Sequence, residues 1–270
     1  MSRIRRTTTL AAVAAGGLVV LVAPPASAAD TATVSVLHGV PGVTVDVYAN
    51  GEELIPDFAP GTLTDPLSLP AGSYDLAIYP AGSDPASTQP AASADDVTVP
   101  AGANATVVAH LTAEGTPVLT PFVNDVSAVP AGQARFTVRH TAAAPAVDIR
   151  AGGAVVAPGL TNPDEATLTV PAGTVSADVA LAGTSTVAIG PADLDLAEGT
   201  ATAVYAWGSG DAGYQLAVQT FPGLHSSPSG VPGGSAGLAS DDLPLPLVGM
   251  SLLGLAGAAL AARRLAGSRA

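Results

Sequence analysis

The chain of 270 residues has no cysteine and no lysine, and only 4% of it is aromatic. Without cysteine there are no disulfides, no thiol nucleophile and no thiolate-bound metal, so an exported body must be held by its core alone. Positive charge is almost as scarce. Between Asp30 and Asp242 all 22 carboxylates of the chain face only Arg135, Arg139 and Arg150, a formal charge of −19. A field of that sign repels nucleic acid and anionic membrane surfaces, which excludes them as partners of the body. Helical periodicity is also missing ahead of residue 243, and so is any Asp-x-Asp-x-Asp-Gly calcium loop.

The two ends read as export and anchoring signals. Arg3, Arg5 and Arg6 precede an uncharged, mostly apolar stretch from Leu10 to Val22 and a small-x-small site at Ala26-Ser27-Ala28. This predicts a signal peptide over 1–28. Near the other end, Leu243 to Ala262 is uncharged and is followed by Arg263, Arg264 and Arg269. Twenty helical residues span about 30 Å, one hydrocarbon thickness, and positive charge beyond the span holds that end in the cytoplasm. The expected order is a transmembrane anchor at 243–264 and a cytoplasmic tail at 265–270, preceded by a Gly/Ser/Pro linker at 224–242. The span and basic tail resemble a cell-wall sorting signal. Leu243-Pro244-Leu245-Pro246-Leu247, however, lacks the Thr-Gly of a sortase pentapeptide, so a single-pass membrane anchor with an extracellular body is expected rather than covalent attachment to the wall.

The region between these ends reads as all-β. Val43, Val45 and Val47 alternate with Thr44, Asp46 and Tyr48, and Tyr74, Leu76 and Ile78 alternate with Asp75, Ala77 and Tyr79. Phe136 and Val138 alternate with Thr137 and Arg139, and Tyr214, Leu216 and Val218 with Gln215, Ala217 and Gln219. Period two marks strands with one buried face. Pro-Ala-Gly recurs at 70–72, 80–82, 100–102, 130–132 and 171–173, where proline presets a turn and glycine accepts a positive φ. The halves align: His38 and Asp46 fall on His140 and Asp148, the Pro70 turn on the Pro171 turn, and Ala103–His110 on Thr200–Trp207. Two tandem immunoglobulin-like β-sandwiches are expected, at 30–125 and 126–223.

"VLHGVPGVTVDVYANG" with "LPAGSYDL", and again "AGQARFTVRHTAAAPAVDIRAGG", resemble domain of unknown function family 4397. In the second copy Ile149-Arg150 replaces Val-Tyr. The resemblance implies two copies over roughly residues 32–222 of an extracellular β-sandwich found on bacterial and archaeal surface proteins. It implies no activity.

Few side chains look chemical. Each His–Asp frame lacks a neighbouring nucleophile and is duplicated, so His38, Asp46, His140 and Asp148 are expected to bond loops and turns, with a pH-sensing or metal role as the alternative. Gly233–Gly237 spells Gly-x-Ser-x-Gly inside the linker rather than at a strand-to-helix turn. Asp193, Asp195 and Glu198, and Asp95 with Asp96, offer oxygen ligands without a calcium-loop spacing. Asn104-Ala105-Thr106 is a glycosylation sequon by pattern. Tyr205, Trp207 and Tyr214 form either core or an aromatic contact patch, with core favoured.

The expectation is therefore a membrane-anchored surface protein with a structural or adhesion-type binding role. It has no catalytic, cofactor or metal residues, and its partner is an extracellular protein or glycan. The alternative is a glycan- or wall-acting enzyme that uses two carboxylates. Protease added to intact cells should release a soluble two-domain fragment by cutting in the linker. Replacing Leu252, Leu253 and Leu255 with aspartate should send the whole body into the medium. A variant that stays cell-bound, together with a wild-type tail found joined to peptidoglycan, would replace the membrane anchor with wall attachment.

Overall fold

The computed structural model describes residues 30–226. The expected signal peptide, the linker beyond Ser226 with its Gly233–Gly237 motif, the anchor and the tail lie outside the described residues. No helix among the described residues is long and apolar enough to cross a membrane.

Sixteen strands follow one another. The first repeat contributes β1 (Thr31–His38), β2 (Val45–Ala49), β3 (Glu52–Phe58), β4 (Leu67–Pro70), β5 (Gly72–Pro80), β6 (Ala92–Val99), β7 (Asn104–Leu111) and β8 (Pro117–Val123). The second contributes β9 (Gln133–His140), β10 (Val147–Ala151), β11 (Ala154–Leu160), β12 (Glu165–Pro171), β13 (Gly173–Leu181), β14 (Val187–Leu196), β15 (Ala201–Ser209) and β16 (Gly213–Phe221). All five Pro-Ala-Gly segments lie at strand ends or between strands. Asn50 and Gly51, both with positive φ (53° and 79°), turn β2 into β3, as a two-residue hairpin of the primed type requires.

The sheets confirm a duplicated sandwich. The first repeat forms sheets β4-β1-β7-β8 and β3-β2-β5-β6, and the second forms β12-β9-β15-β16 and β11-β10-β13-β14. Strand for strand, the second repeat copies the first. The expected immunoglobulin-like form holds at the level of two sheets face to face, but the pairing differs from the ABED and CFG sheets of an immunoglobulin domain. Each repeat has eight strands. Its first strand lies between the fourth and the seventh, antiparallel to one and parallel to the other.

Each sandwich closes over its own core. Val34, Val36, Val45, Val47, Ile78 and Val107 fill the first, and Phe136, Val138, Val147, Ile149, Leu196 and Val204 fill the second. A third cluster lies between the sandwiches: Leu37, Val108 and Phe122 from the first meet Ala203 and Tyr205 from the second. The sheet β4-β1-β7-β8 therefore buries both its faces around β1 and β7, and β12-β9-β15-β16 does the same around β9 and β15. The result is four sheets in layers, with all three cores closed within residues 30–226.

The seam carries a closed ring of hydrogen bonds. Arg139, 2% exposed, donates through Nη1 to Asn124 Oδ1 at 2.8 Å and to the Tyr205 hydroxyl at 2.7 Å. Asn124 donates to Thr106 Oγ1 at 3.0 Å, and Thr106 donates to Gln219 Oε1 at 2.8 Å. Tyr205 closes the ring by donating to the same oxygen at 2.7 Å. Burial raises the Tyr205 hydroxyl above its ordinary pKa, which keeps that proton in place. Arg139 also pairs with Glu165 at 2.8 Å and stacks over the rings of Phe122 and Tyr205.

Beside the ring, the Trp207 side chain lies against Gly39 and Gly61. A Cβ on Gly61 would stand 2.9 Å from Trp207 Cζ2, and Gly61 also holds a φ of +78°.

Arg139→Met should cost about 3–5 kcal/mol, because it strands the buried oxygens of Asn124 and Tyr205. Glu165→Gln keeps an acceptor for Arg139 Nε but removes the countercharge of a buried guanidinium, and should cost about 1–3 kcal/mol. Gly61→Val should shift the Trp207 emission and lower the melting temperature. Denaturant titrations of the three variants check the ranking, and an Arg139→Met cost no larger than that of Glu165→Gln would contradict it.

Candidate functional site

The two His–Asp frames are built alike, and in neither does the histidine bond the aspartate. His38 ends β1 and is fully buried. Its Nε2 lies 2.8 Å from the Val43 carbonyl, to which it donates, so Nδ1 is left to accept from the Val40 amide at 3.3 Å. His140 repeats the first bond to Pro145 at 3.0 Å, but its Nδ1 is buried without a partner. Asp46 accepts the amides of Asp57 and Gly82 at 2.8 and 2.9 Å, and Asp148 those of Gly159 and Gly183, both at 2.8 Å. Each aspartate thus ties a bulged hairpin to the turn after the neighbouring strand. The bonds from Gly183 and Gly159 hold the Asp148 carboxyl below its ordinary range.

The remaining sequence candidates disperse. Asp193 and Asp195 are exposed on β14, while Glu198 reaches away to accept the Gly132 amide at 2.7 Å. No three His, Asp or Glu side chains converge on a metal position among the described residues. Thr106 of the sequon is fully buried in the seam. Tyr205 and Trp207 are core of the seam, and Tyr214 is half-buried with its hydroxyl on the Ala143 carbonyl at 3.3 Å. Leu224 and Ser226, at the start of the expected linker, still bond the body: Leu224 donates to Gly199 and Ser226 donates to Val129.

The one roomy cavity among those described is a groove of about 300 Å³ on the outer face of the first sandwich. It is lined by Tyr48 on β2, Asp75, Ala77 and Tyr79 on β5, Asp95 on β6, and Pro85 and Pro90 of the overhanging β5–β6 loop. Tyr48 and Tyr79 stand edge to face, 5.3 Å between centroids. Tyr48 donates to Glu53 at 3.2 Å, and desolvation together with that carboxylate raises its hydroxyl above the ordinary value. Asp75 uses one oxygen to accept the Asp96 amide at 3.0 Å. The sequence puts Tyr48, Asp75, Ala77 and Tyr79 on outward strand phases without a role, and offers Asp95 only as an oxygen ligand together with Asp96. The available signal was two tyrosines on the solvent phase of adjacent strands in an aromatic-poor chain.

Fold and surface together define a duplicated β-sandwich protein with one acidic, tyrosine-walled groove. Residues 32–150 match the family "Domain of unknown function (DUF4397)", and a domain of that family is present there. The match is a single span covering the first sandwich together with β9 and β10. The duplication itself rests on the strand-by-strand correspondence. No curated protein matches the chain.

Burial lowers the pKa of His38, His110 and His140 from the ordinary 6.5. In the fold they are neutral, whereas the unfolded chain takes up protons near pH 6.5. Their contribution to stability is full above that pH and is lost as pH falls below it, by about 1.4 kcal/mol per pH unit for each proton taken up. The melting temperature should be level between pH 7 and 8 and fall from about pH 6.5 downward. His140→Asn should flatten that slope. An unchanged slope in the variant would remove His140 from the transition.

Proposed function

We propose that the protein is a non-catalytic binding module displayed on the cell surface, exported by its signal peptide and held by a single membrane-spanning anchor, and that it engages an extracellular partner through the groove of the first sandwich. The observation that carries this reading is the asymmetry of the duplicate. The His–Asp scaffold is kept in both copies, but among the described residues the roomy groove lies where Tyr48 and Tyr79 stand, and the matching positions of the second copy are Arg150 and Ala180. The groove also has the make-up of a contact surface: flat rings, proline edges and carboxylates at one end. Aromatic faces of this kind supply area at low entropic cost, and polar groups around them fix orientation. The fused seam gives the groove a rigid base.

Residues 30–226 should bind selected features on protein and glycan arrays, with and without calcium, and Tyr48→Ala/Tyr79→Ala should lose that binding while keeping its melting temperature. Binding that survives the double substitution would move the site elsewhere. Release of cleaved sugars or peptides from the array would turn the reading toward an enzyme.

A further inference from the structure

The second sandwich shows what its outer face accepts. In the first sandwich Tyr48 and Ala77 are cross-strand partners. The same pair of positions in the second is Arg150 and Asp178. Arg150 Nε lies 2.5 Å from Asp178 Oδ1, with the two side chains only 18% and 13% exposed. An arginine therefore lies pressed on this face and is held there by a carboxylate.

The first sandwich presents the same face without an arginine. Residues 30–125 contain twelve carboxylates and neither lysine nor arginine. Where Arg150 would lie there is instead the groove, with tyrosines along it and Asp75 and Asp95 at its edge. Among the described residues the Asp95 carboxylate accepts no hydrogen bond from the protein, and Asp75 uses only Oδ1. Two carboxylates are thus open to an outside donor, beside the edge-to-face tyrosine pair that lines the groove.

Resting on the binding-module reading, we infer that this groove takes an arginine or lysine side chain presented by another polypeptide. The stem lies in the groove alongside the Tyr48–Tyr79 pair, whose rings line it and are in contact with each other, where an aromatic wall attracts a cation and covers its methylenes. The charged head pairs with Asp75 and Asp95, and a guanidinium matches carboxylates best because its donors form a planar fork. The volume of about 300 Å³ stands at the small end of pockets that enclose a whole small-molecule ligand, about 300–1,000 Å³. It suits one long side chain, with the backbone that carries it left outside. The uniformly negative first sandwich steers a basic segment toward the groove.

The test uses residues 30–226 at physiological salt and blocked Gly-Gly-X-Gly-Gly peptides, with X as arginine, lysine or the neutral isostere citrulline. Amide chemical shifts should move around Tyr48, Ala77, Tyr79 and Asp95, and arginine should bind about tenfold more tightly than citrulline. Asp95→Asn should weaken the arginine peptide about fivefold and Tyr79→Ala about tenfold. Glu114→Gln, outside the groove, should leave its affinity unchanged. An equal loss in Glu114→Gln, shifts scattered over the acidic surface, citrulline binding as well as arginine, or no shift at saturating peptide would each overturn the inference. A glucosamine oligomer that occupies the groove more tightly than the arginine peptide would overturn the polypeptide assignment and leave the binding-module reading standing. That broader reading falls separately, if no array ligand depends on Tyr48 and Tyr79.

Discussion

The buried Arg139 guanidinium organises the joint between the two sandwiches. It is enclosed by both halves, and a charge in that position is tolerable only when every donor has a partner. The five-member ring takes up Nη1 with a consistent direction, while Nε donates to Glu165 and Nη2 to the Val123 carbonyl. Protons run from Arg139 through Asn124 and Thr106 on one side, and through Tyr205 on the other, to the single oxygen Gln219 Oε1. Glu165 balances the charge from the rim. Moving one sandwich against the other would strand several of these groups together, so the ring fixes register in a seam that hydrophobic contact alone would leave free to slide.

The repeat explains why the sandwiches choose each other. Corresponding positions on the two facing sheets are Leu37 and Arg139, Val108 and Tyr205, and Phe122 and Gln219. At these three positions the first copy is apolar where the second is polar, and at Thr106, the counterpart of Ala203, the order is reversed. A second-copy face against its own twin would set Arg139 against Arg139, and a first-copy face against its twin would offer Thr106 and Asn124 neither the guanidinium nor the Gln219 oxygen. Complementary divergence thus makes the unlike pair the favoured one, by the logic through which polar positions in a seam specify partners. Glycine completes the fit, since Gly61 allows the Trp207 ring an approach that any side chain would block.

Much of the scaffold was legible in the chain. Period-two runs located the strands, Pro-Ala-Gly marked their ends, and the offset between His38 and His140 exposed the duplication. The bonds that His38 and Asp46 make are local, to loops and turns close in sequence or in the neighbouring hairpin, so spacing was enough to anticipate them. The strand order was not legible, because the place of β1 between β4 and β7 depends on non-local pairing that leaves no periodic trace. The seam left a fainter signal. Strands β7 and β15 are apolar or small on both faces, as in "ATVVAH" and "TAVYAW", which is the pattern of strands covered twice. Arg139, Asn124 and Gln219 look like ordinary surface residues in the sequence, and only the opposing sheet turns them into a network. The groove was half legible: the phase of Tyr48 and Tyr79 was readable, but their meeting across β2 and β5 under the β5–β6 loop was not.

What the two copies share and what they do not share divides structure from recognition. The shared parts are the strand order, the His–Asp bonds and the hairpin turns, all internal to a sandwich. The unshared parts lie on two surfaces: the inner face, where divergence fuses the copies, and the outer face, where one copy carries an arginine ion pair and the other an open groove. Fusion has a mechanical consequence for that groove. Leu224 and Ser226, the last described residues to bond the body, are anchored to Gly199 and Val129 at the second sandwich. The groove sits on the outermost sheet of the first. The stacked layers have no free hinge between them, so the direction of the groove relative to Ser226 is set by the fold.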